Sequence, residues 1–336
     1  MSMLTIRQKG TLLKQFFRAK FSHTSTPLAL RWNITSRCHN SCLYCNNHKL
    51  NRHPDLELKE IEKITQKILK LKIARLSISG GEPLLSPHFD YIVRFCKNHR
   101  ISPIINSSGQ YFAENLNTLK LLDLIQFSID GDHELMNTVR GGKAALYLQQ
   151  AIELAQKEKI KFSFCATLSK HNTNLKTIDY LLDLATHYKT VVAFQPIKRV
   201  YLKEAEFAEH APRAIEMQKV VTHLLEKKRS PHSSAAIRNT ELGLQHLLAW
   251  PHYGDLPCMA GKLFFVIQAD GTCVACDRTD YNQNLHAINF IESDLESVLQ
   301  KMRTPLCEGC GFCGNLELAH LFHFKYQVLH TLRKIA

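Results

Sequence analysis

Three cysteines fall within eight residues near the start of the chain, in the run Cys38-His-Asn-Ser-Cys42-Leu-Tyr-Cys45. Thiolates are soft metal ligands, and three so close in sequence meet at one centre only if the backbone curls around it. A structural zinc site closes with four ligands, and no fourth is near; three leave a metal position open, which is where chemistry takes place. A second group, Cys258, Cys273, Cys276, Cys307, Cys310 and Cys313, lies towards the other end of the chain. Of the 11 cysteines only Cys96 and Cys165 stand apart. Each sits in an apolar segment, where a buried, inert thiol is expected. In a long chain without a secretory signal this distribution indicates metal binding or catalysis rather than disulfides.

Loops that gather ligands need a scaffold, and the chain supplies one from residue 28 onward. Strand-like runs begin at LALRWNI (28–34), RLSIS (75–79), SPIIN (102–106), LIQFSID (124–130), KFSFCATL (161–168) and VVAFQPI (191–197). Amphipathic helical patterns lie between them at 57–72, 86–99, 113–122, 143–158 and 174–188. This alternation predicts an α/β fold with a parallel sheet, which periodicity leaves as either a partial barrel or an open doubly wound sheet. The first cysteine cluster directly follows the first strand. Loops at the C-terminal ends of parallel strands are where sites are assembled.

The rest divides by composition. Residues 1–27 form a basic amphipathic extension, 28–202 the alternating core and 203–250 a charged helical connector. Residues 251–315 carry the second cysteine group and a hairpin-like stretch turning at Asp270-Gly271. Residues 316–336 read as a basic amphipathic helix, LELAHLFHFKYQVLHTLRKIA. With 45% hydrophobic residues, wholesale disorder is excluded. No apolar run is long enough to span a bilayer, and the N-terminus lacks the h-region and cleavage site of a signal peptide, so a cytoplasmic location is expected.

A net charge of +13 is compatible with nucleic acid, an acidic peptide or an anionic membrane. The basic residues are scattered and no nucleic-acid-binding signature accompanies them, so nucleic acid is not expected as a partner. The ends offer a more specific reading. Arg7, Lys9, Lys14, Arg18 and Lys20 interleave with Leu12, Leu13, Phe16, Phe17 and Phe21, and the tail sets Phe322, Phe324, Tyr326, Leu329 and Leu332 beside Lys325, Arg333 and Lys334. Such segments either lie on an anionic membrane surface or pack across the ends of their own core.

Further motifs follow the strands in order. Gly80-Gly81-Glu82-Pro83 ends the second, Asn106-Ser107-Ser108-Gly109 the third, and Phe127-Ser128-Ile129-Asp130-Gly131 the fourth. Together with Cys38-x3-Cys42-x2-Cys45 they resemble the radical S-adenosylmethionine (SAM) superfamily over about residues 28–200. The resemblance implies a partial (β/α)6 TIM-like barrel. It also implies a [4Fe–4S] cluster held by Cys38, Cys42 and Cys45, whose fourth iron chelates SAM. By the same resemblance Gly80, Gly81, Glu82 and Pro83 bind the SAM amino group, and Ser128 and Asp130 contact its ribose and carboxylate. Tyr44 lies beside adenine, and Asn106 and Ser108 are further SAM contacts. Arg140, in the stretch from His133 to Gly142, pairs with a carboxylate of SAM or substrate and is the one candidate for a catalytic role. Two positions depart from the common pattern: His39 follows the first cysteine where Asn is frequent, and the third strand ends Asn-Ser-Ser-Gly in place of Thr-Asn-Gly.

The second cysteine group resembles the twitch and SPASM auxiliary-cluster modules that follow such cores. That resemblance implies at least one auxiliary [4Fe–4S] cluster on Cys258, Cys276, Cys307 and Cys310, with Cys313 able to replace one of the last two and Cys273 spare. A zinc ribbon on Cys273-x2-Cys276 and Cys307-x2-Cys310 is the alternative. The implied activity is reductive cleavage of SAM to a 5′-deoxyadenosyl radical, hydrogen abstraction from substrate, and electron transfer to the auxiliary cluster. A flavodoxin- or ferredoxin-type donor would supply the electron. A peptide or protein is the leading substrate class, although residues 1–27 are too short for the leader-binding domain many such maturases carry. A sugar, lipid or other small molecule is the second reading. A non-catalytic metal-binding or nucleic-acid-associated protein is the third.

Overall fold

The computed structural model describes residues 6–46, 54–198, 203–231, 233–254, 256–277, 287–304 and 310–323. Six strands run in parallel: β1 (Ala29–Asn33), β2 (Arg75–Ser79), β3 (Ser102–Ser107), β4 (Leu124–Ser128), β5 (Phe162–Leu168) and β6 (Val192–Pro196). Each pairs with the next in sequence, so their spatial order is their chain order. The helices are α1 (Ile6–Phe21), α2 (Leu58–Leu71), α3 (Phe89–Asn98), α4 (Leu116–Leu119), α5 (His133–Arg140), α6 (Ala144–Lys157), α7 (Leu175–His187), α8 (Glu204–His210), α9 (Ala214–Arg229), α10 (Glu241–Leu247), α11 (Leu295–Lys301) and α12 (Cys313–Phe322). The expected helix at 113–122 is confined to α4, and α5 has no counterpart among the helices expected from periodicity. None of the described helices is long and apolar enough to cross a membrane.

The helices form where an apolar stripe coincides with a start signal. In α2, Ile61, Ile64, Ile68 and Leu71 are buried at three- and four-residue spacing. The Glu60 carboxylate accepts the Glu57 N–H at 2.8 Å, satisfying an amide that the first turn leaves free. Asp132 caps α5 by accepting from Leu135 N at 3.0 Å, and Asn174 caps α7 from Thr177 N at 2.9 Å.

Strand alternation separates two environments. Leu30, Trp32, Leu76 and Ile78 are fully buried on one face of β1 and β2. The alternate residues, Arg31, Arg75, Ser77 and Ser79, line a cavity of about 520 Å³ instead. The barrel interior is therefore left open, with polar and charged side chains set among apolar walls, unlike the side-chain layers that fill a closed eight-stranded barrel.

Residues 251–315 were expected as a small cysteine-rich domain, and their described strands continue the barrel sheet. β7 (Phe264–Ile267) pairs in parallel with β1, Ala29 opposite Phe264, and β8 (Thr272–Val274) and β9 (Ile288–Asn289) continue the same nine-stranded sheet. The β7–β8 hairpin turns at Asp270-Gly271, where Gly271 takes φ +78° and Asp270 accepts from Thr272 N at 2.9 Å. The edge of β6 is closed by Asn239, whose side-chain amide exchanges two 2.8 Å hydrogen bonds with the Phe194 backbone. At the N-terminal ends of the strands, Leu12 and Phe16 of α1 and Leu318 and Leu321 of α12 close the cavity. The two helices meet through Phe16 and Phe322, ring centroids 5.6 Å apart.

Candidate active site

The loop after β1 is laid directly on the glycine pair that ends β2. Gly81 N donates to Thr35 O at 2.9 Å and Glu82 N to Arg37 O at 2.8 Å. A Cβ on Gly80, which has φ +140°, would stand 2.3 Å from Thr35 O; one on Gly81 would stand 2.1 Å from Arg37 O and 2.9 Å from Cys38 Cβ. No side chain fits at either position, so glycine is required by backbone contact alone. The other flank of the loop rests on the end of α5, with Ser41 N donating to Arg140 O and Leu43 N to Val139 O at 3.3 and 2.9 Å. Gly141, at φ +83°, permits that approach, since a Cβ there would lie 2.5 Å from Ser41 Oγ.

Held on both flanks, the loop presents Cys38, Cys42 and Cys45 to the central cavity. Burial raises the Cys38 thiol to about 11 and the Cys42 thiol to about 12. Among the described residues no three His, Cys, Asp or Glu side chains are grouped to share a single metal ion. A cluster that puts one thiolate on each of three irons asks for a wider spread. Three soft sulfur donors with one position left open fit an iron–sulfur cluster, and a bound metal would displace the thiol protons.

Glu82, which the resemblance places at the SAM amino group, lines the cavity and is also hydrogen-bonded within the protein. Only 2% exposed, it accepts from Ser107 Oγ at 2.9 Å, Ser108 N at 2.9 Å, Ser108 Oγ at 2.7 Å and Leu84 N at 3.4 Å. Burial nonetheless moves its pKa upward. Glu82 thus locks the end of β3 to the glycine loop. Gly80 and Gly81 line the cavity, whereas Pro83 is buried at the start of a short 3-10 turn. Asn106, Ser108 and Ser128 also face the cavity. His39 approaches Ser108 Oγ with Nε2 at 3.5 Å, and burial lowers its pKa to about 4.

A second internal lock ties the cysteine loop to β4. Asp130 is fully buried and accepts from Tyr44 Oη at 2.5 Å and Thr167 N at 3.2 Å. It pairs with Arg140 Nε at 2.8 Å, and Arg140 Nη2 donates to Tyr44 Oη at 2.7 Å. Burial alone would lower the Arg140 pKa; Asp130, Tyr44 and Cys42 together more than offset it and move it upward. Tyr44 and Arg140 face the cavity, while Asp130 stands behind them. Breaking such a buried pair typically costs about 3–5 kcal/mol, so these three residues position the loop as much as they shape its pocket.

The second cysteine group divides. Cys276 and Cys313 line the same cavity as the first three. Cys258 accepts from Ala260 N at 3.4 Å, and Cys310 from Phe312 N at 3.4 Å and Asn315 Nδ2 at 3.8 Å, the donors that stabilise a ligating thiolate. Cys273 is fully buried in β8 among apolar side chains, and Cys307 lies outside the described residues. Of the two isolated cysteines, Cys96 is an inert core thiol as expected, whereas Cys165 lines the cavity.

Sequence reasoning passed over Ser107, Arg31, Lys198 and Asp277. Asp277 follows Cys276 and is paired with Arg31 at 2.8 Å and Lys198 at 2.6 Å. Although burial opposes it, those two cations hold the Asp277 carboxyl far below the usual range. The Phe312 ring stacks against both, 4.8 Å from the Arg31 guanidinium and 4.9 Å from the Lys198 ammonium. An arginine at the interior-facing position of an alternating strand was the available signal for Arg31. Nothing local marks the others.

Residues 32–185 match the family model of the Radical SAM superfamily. Mycofactocin maturase MftC of Mycobacterium tuberculosis is 23% identical over 322 residues, 91% of this chain and 79% of that protein. SuiB of Streptococcus suis, solved with S-adenosylmethionine bound, superposes with a TM-score of 0.67 at 17% identity, covering 82% of this chain and 66% of SuiB. The chain therefore spans about two thirds of SuiB. Native anSMEcpe with bound AdoMet gives a TM-score of 0.66 at 17% identity, over 92% of this chain and 100% of that one. The two structural likenesses establish the fold.

The glycine contact generates a test. Gly81→Ala places a methyl group against the Arg37 carbonyl and must push the cysteine loop outward. Anaerobic reconstitution of this variant is expected to incorporate far less iron than wild type, with circular dichroism showing the α/β fold retained. Wild-type iron content in the variant would remove the loop-support role given to Gly81.

Proposed function

The chain carries a radical SAM domain and is an enzyme of that superfamily; from that premise we propose that it modifies a peptide or protein substrate by hydrogen abstraction. The observation that carries this reading is the shared cavity, where the three-cysteine loop, the glycine pair, Asn106 and Ser128 meet. The peptide class is supported by the relatives: one is a maturase aligned over most of this chain, and the SuiB fold has also been solved with its precursor peptide SuiA.

In this reading Cys38, Cys42 and Cys45 hold a [4Fe–4S] cluster. Such a cluster, given one electron and SAM, would provide reductive cleavage of SAM to methionine and a 5′-deoxyadenosyl radical able to take a hydrogen atom from a C–H bond. Gly80 and Gly81 offer backbone to the SAM amino group, with Glu82 fixing that backbone from behind. Tyr44 and Ser128 flank the nucleoside, and Arg140, held charged, faces a carboxylate. α1 and α12 shut the far end of the barrel against water. We assign an auxiliary cluster to Cys258, Cys276, Cys307 and Cys310, with the Asp277–Arg31–Lys198 group linking that region to the barrel. A flavodoxin- or ferredoxin-type protein is the proposed electron donor.

Reconstituted protein given SAM and dithionite is expected to release 5′-deoxyadenosine, and Cys42→Ala to release none above background by liquid chromatography. A variant that cleaves SAM like wild type would refute the ligand assignment. Wild-type protein should carry about eight irons, as two cubanes. The triple Cys38/Cys42/Cys45→Ala variant should keep roughly half. Zinc without residual iron in that variant would replace the auxiliary cluster by a zinc ribbon.

We also propose peripheral docking to an anionic membrane through α1. One stripe of the helix, Phe16 and Ala19, is buried, while Leu13, Phe17 and Phe21 are 58, 51 and 84% exposed beside the exposed Lys14 and Arg18. An outward apolar stripe flanked by cations suits a negatively charged bilayer surface. Leu13→Ser/Phe17→Ser should abolish co-sedimentation with phosphatidylserine vesicles at low salt, whereas equal pelleting of variant and wild type would exclude this face.

A further inference from the structure

Asp277 pairs with both Arg31 and Lys198, leaving that group one net positive charge, and deeper in the barrel Arg75 has no such carboxylate and stands beside Arg238. Arg75 is the first residue of β2 and so sits at the end of the barrel remote from the cysteine loop. Its Nε and Nη2 atoms are shut off from solvent and donate to no partner. Arg238 adjoins Ile237, which bridges to the first residue of β6, and its side chain lines the same cavity. Burial first, and then the Arg238 charge, lower the Arg75 pKa to about 10.

The acids in reach do not compensate. Asp123, which acts on Arg75 in the opposite direction, is held by Lys97 at 2.9 Å. Glu317 lines the cavity, but its Oε1 accepts from Thr240 N at 2.9 Å. Burial raises the Glu317 pKa, while the Thr240 hydrogen bonds and the charges of Lys228 and Arg238 act against it, so this one carboxylate is shared between Arg238 and Lys228 and leaves Arg75 without a partner. The same cavity is lined by apolar side chains as well, among them Leu28, Ala74, Ile104 and Phe264.

An unpaired buried charge destabilises a fold strongly. Arg75, with Arg238 beside it and both lining an accessible cavity, forms a receptor for an anion that arrives with a ligand. The planar guanidinium fork selects an oxyanion, which it can bind with two parallel hydrogen bonds. The position also sets a length. From Arg75 to Ser79, at the mouth, β2 rises ~13 Å at about 3.3 Å per residue. An extended peptide covers that span in roughly four residues.

We propose that Arg75 and Arg238 bind a carboxylate of the substrate, so that a peptide enters the barrel acid-first and reacts at a residue about four positions away. The proposal rests on the peptide reading. Its test uses no turnover, so it can fail without affecting the assignment of SAM cleavage, and SAM cleavage can fail without affecting it.

The test is thermal melting of the cluster-loaded full chain under anaerobic conditions, with acetate or inorganic phosphate replacing chloride at constant ionic strength. Acetate is expected to raise the wild-type melting temperature by ~2 °C or more. Arg75→Met and Arg238→Met should each melt higher than wild type in chloride, because an uncompensated charge is gone, and should lose the acetate response. Arg75→Lys should keep part of it. The proposal is overturned by a wild type indifferent to acetate, by a response to phosphate alone, by Met variants that keep the acetate response, or by Met variants that both melt below wild type.

Discussion

The site depends on one backbone-to-backbone contact. The loop that carries the three cysteines has no regular structure of its own, and it keeps its place because two successive amides, Gly81 and Glu82, donate to Thr35 and Arg37. That approach is closer than any side chain allows. From it follows the rest: Glu82 can reach the end of β3, the loop can meet the end of α5, and Tyr44 can close on Asp130 and Arg140. Motif residues that look like ligand contacts are here partly structural. Glu82 and Asp130 use their carboxylates to hold loops together, Glu82 while lining the cavity and Asp130 from behind it.

The interior is unusual for a barrel in how much charge it holds. Arg31, Arg75, Arg140, Lys198 and Arg238 all face one cavity. Three of them pair with two carboxylates, Arg140 with Asp130, and Arg31 and Lys198 sharing Asp277. Matching of this kind fixes side chains rather than adding stability, since desolvation consumes most of the Coulombic gain. It also gives the cysteine-rich C-terminal region a mechanical connection to the barrel. Asp277 directly follows Cys276, and Phe312, between Cys310 and Cys313, lies against the same two cations.

Much of this was legible in the sequence. Alternation of apolar runs located all six core strands to within a residue or two, and the cysteine spacing located the loop that matters. The glycine pair stood out in the sequence as part of a ligand-binding motif, and in the structure the group that approaches it closely is the backbone of the cysteine loop. What could not be read was long-range. Whether 251–315 stood apart or joined the sheet depended on β7 finding β1, and no local pattern specifies a strand's partner. The Asp277 group joins positions far apart in sequence, as do Arg75 and Arg238, and pairing of that sort leaves no spacing to recognise. Cys165 was misjudged as a core thiol because strand alternation in KFSFCATL does not say which face borders a cavity.

The pairing of β7 with β1 has a bearing on how the molecule is made. On the ribosome β1 emerges early and can pair with β2 on one side, but the strand for its other side lies from Phe264 onward. Until then one edge of β1 is bare, with Leu30 and Trp32 ready to template pairing with another chain. The cysteine loop hangs from the end of this half-finished strand. Metal delivered during synthesis would therefore meet a loop whose supporting strand is still open on one side. Chains cut short before β7 would lose more than the C-terminal cysteines, because they would release a barrel with a permanently unprotected seam.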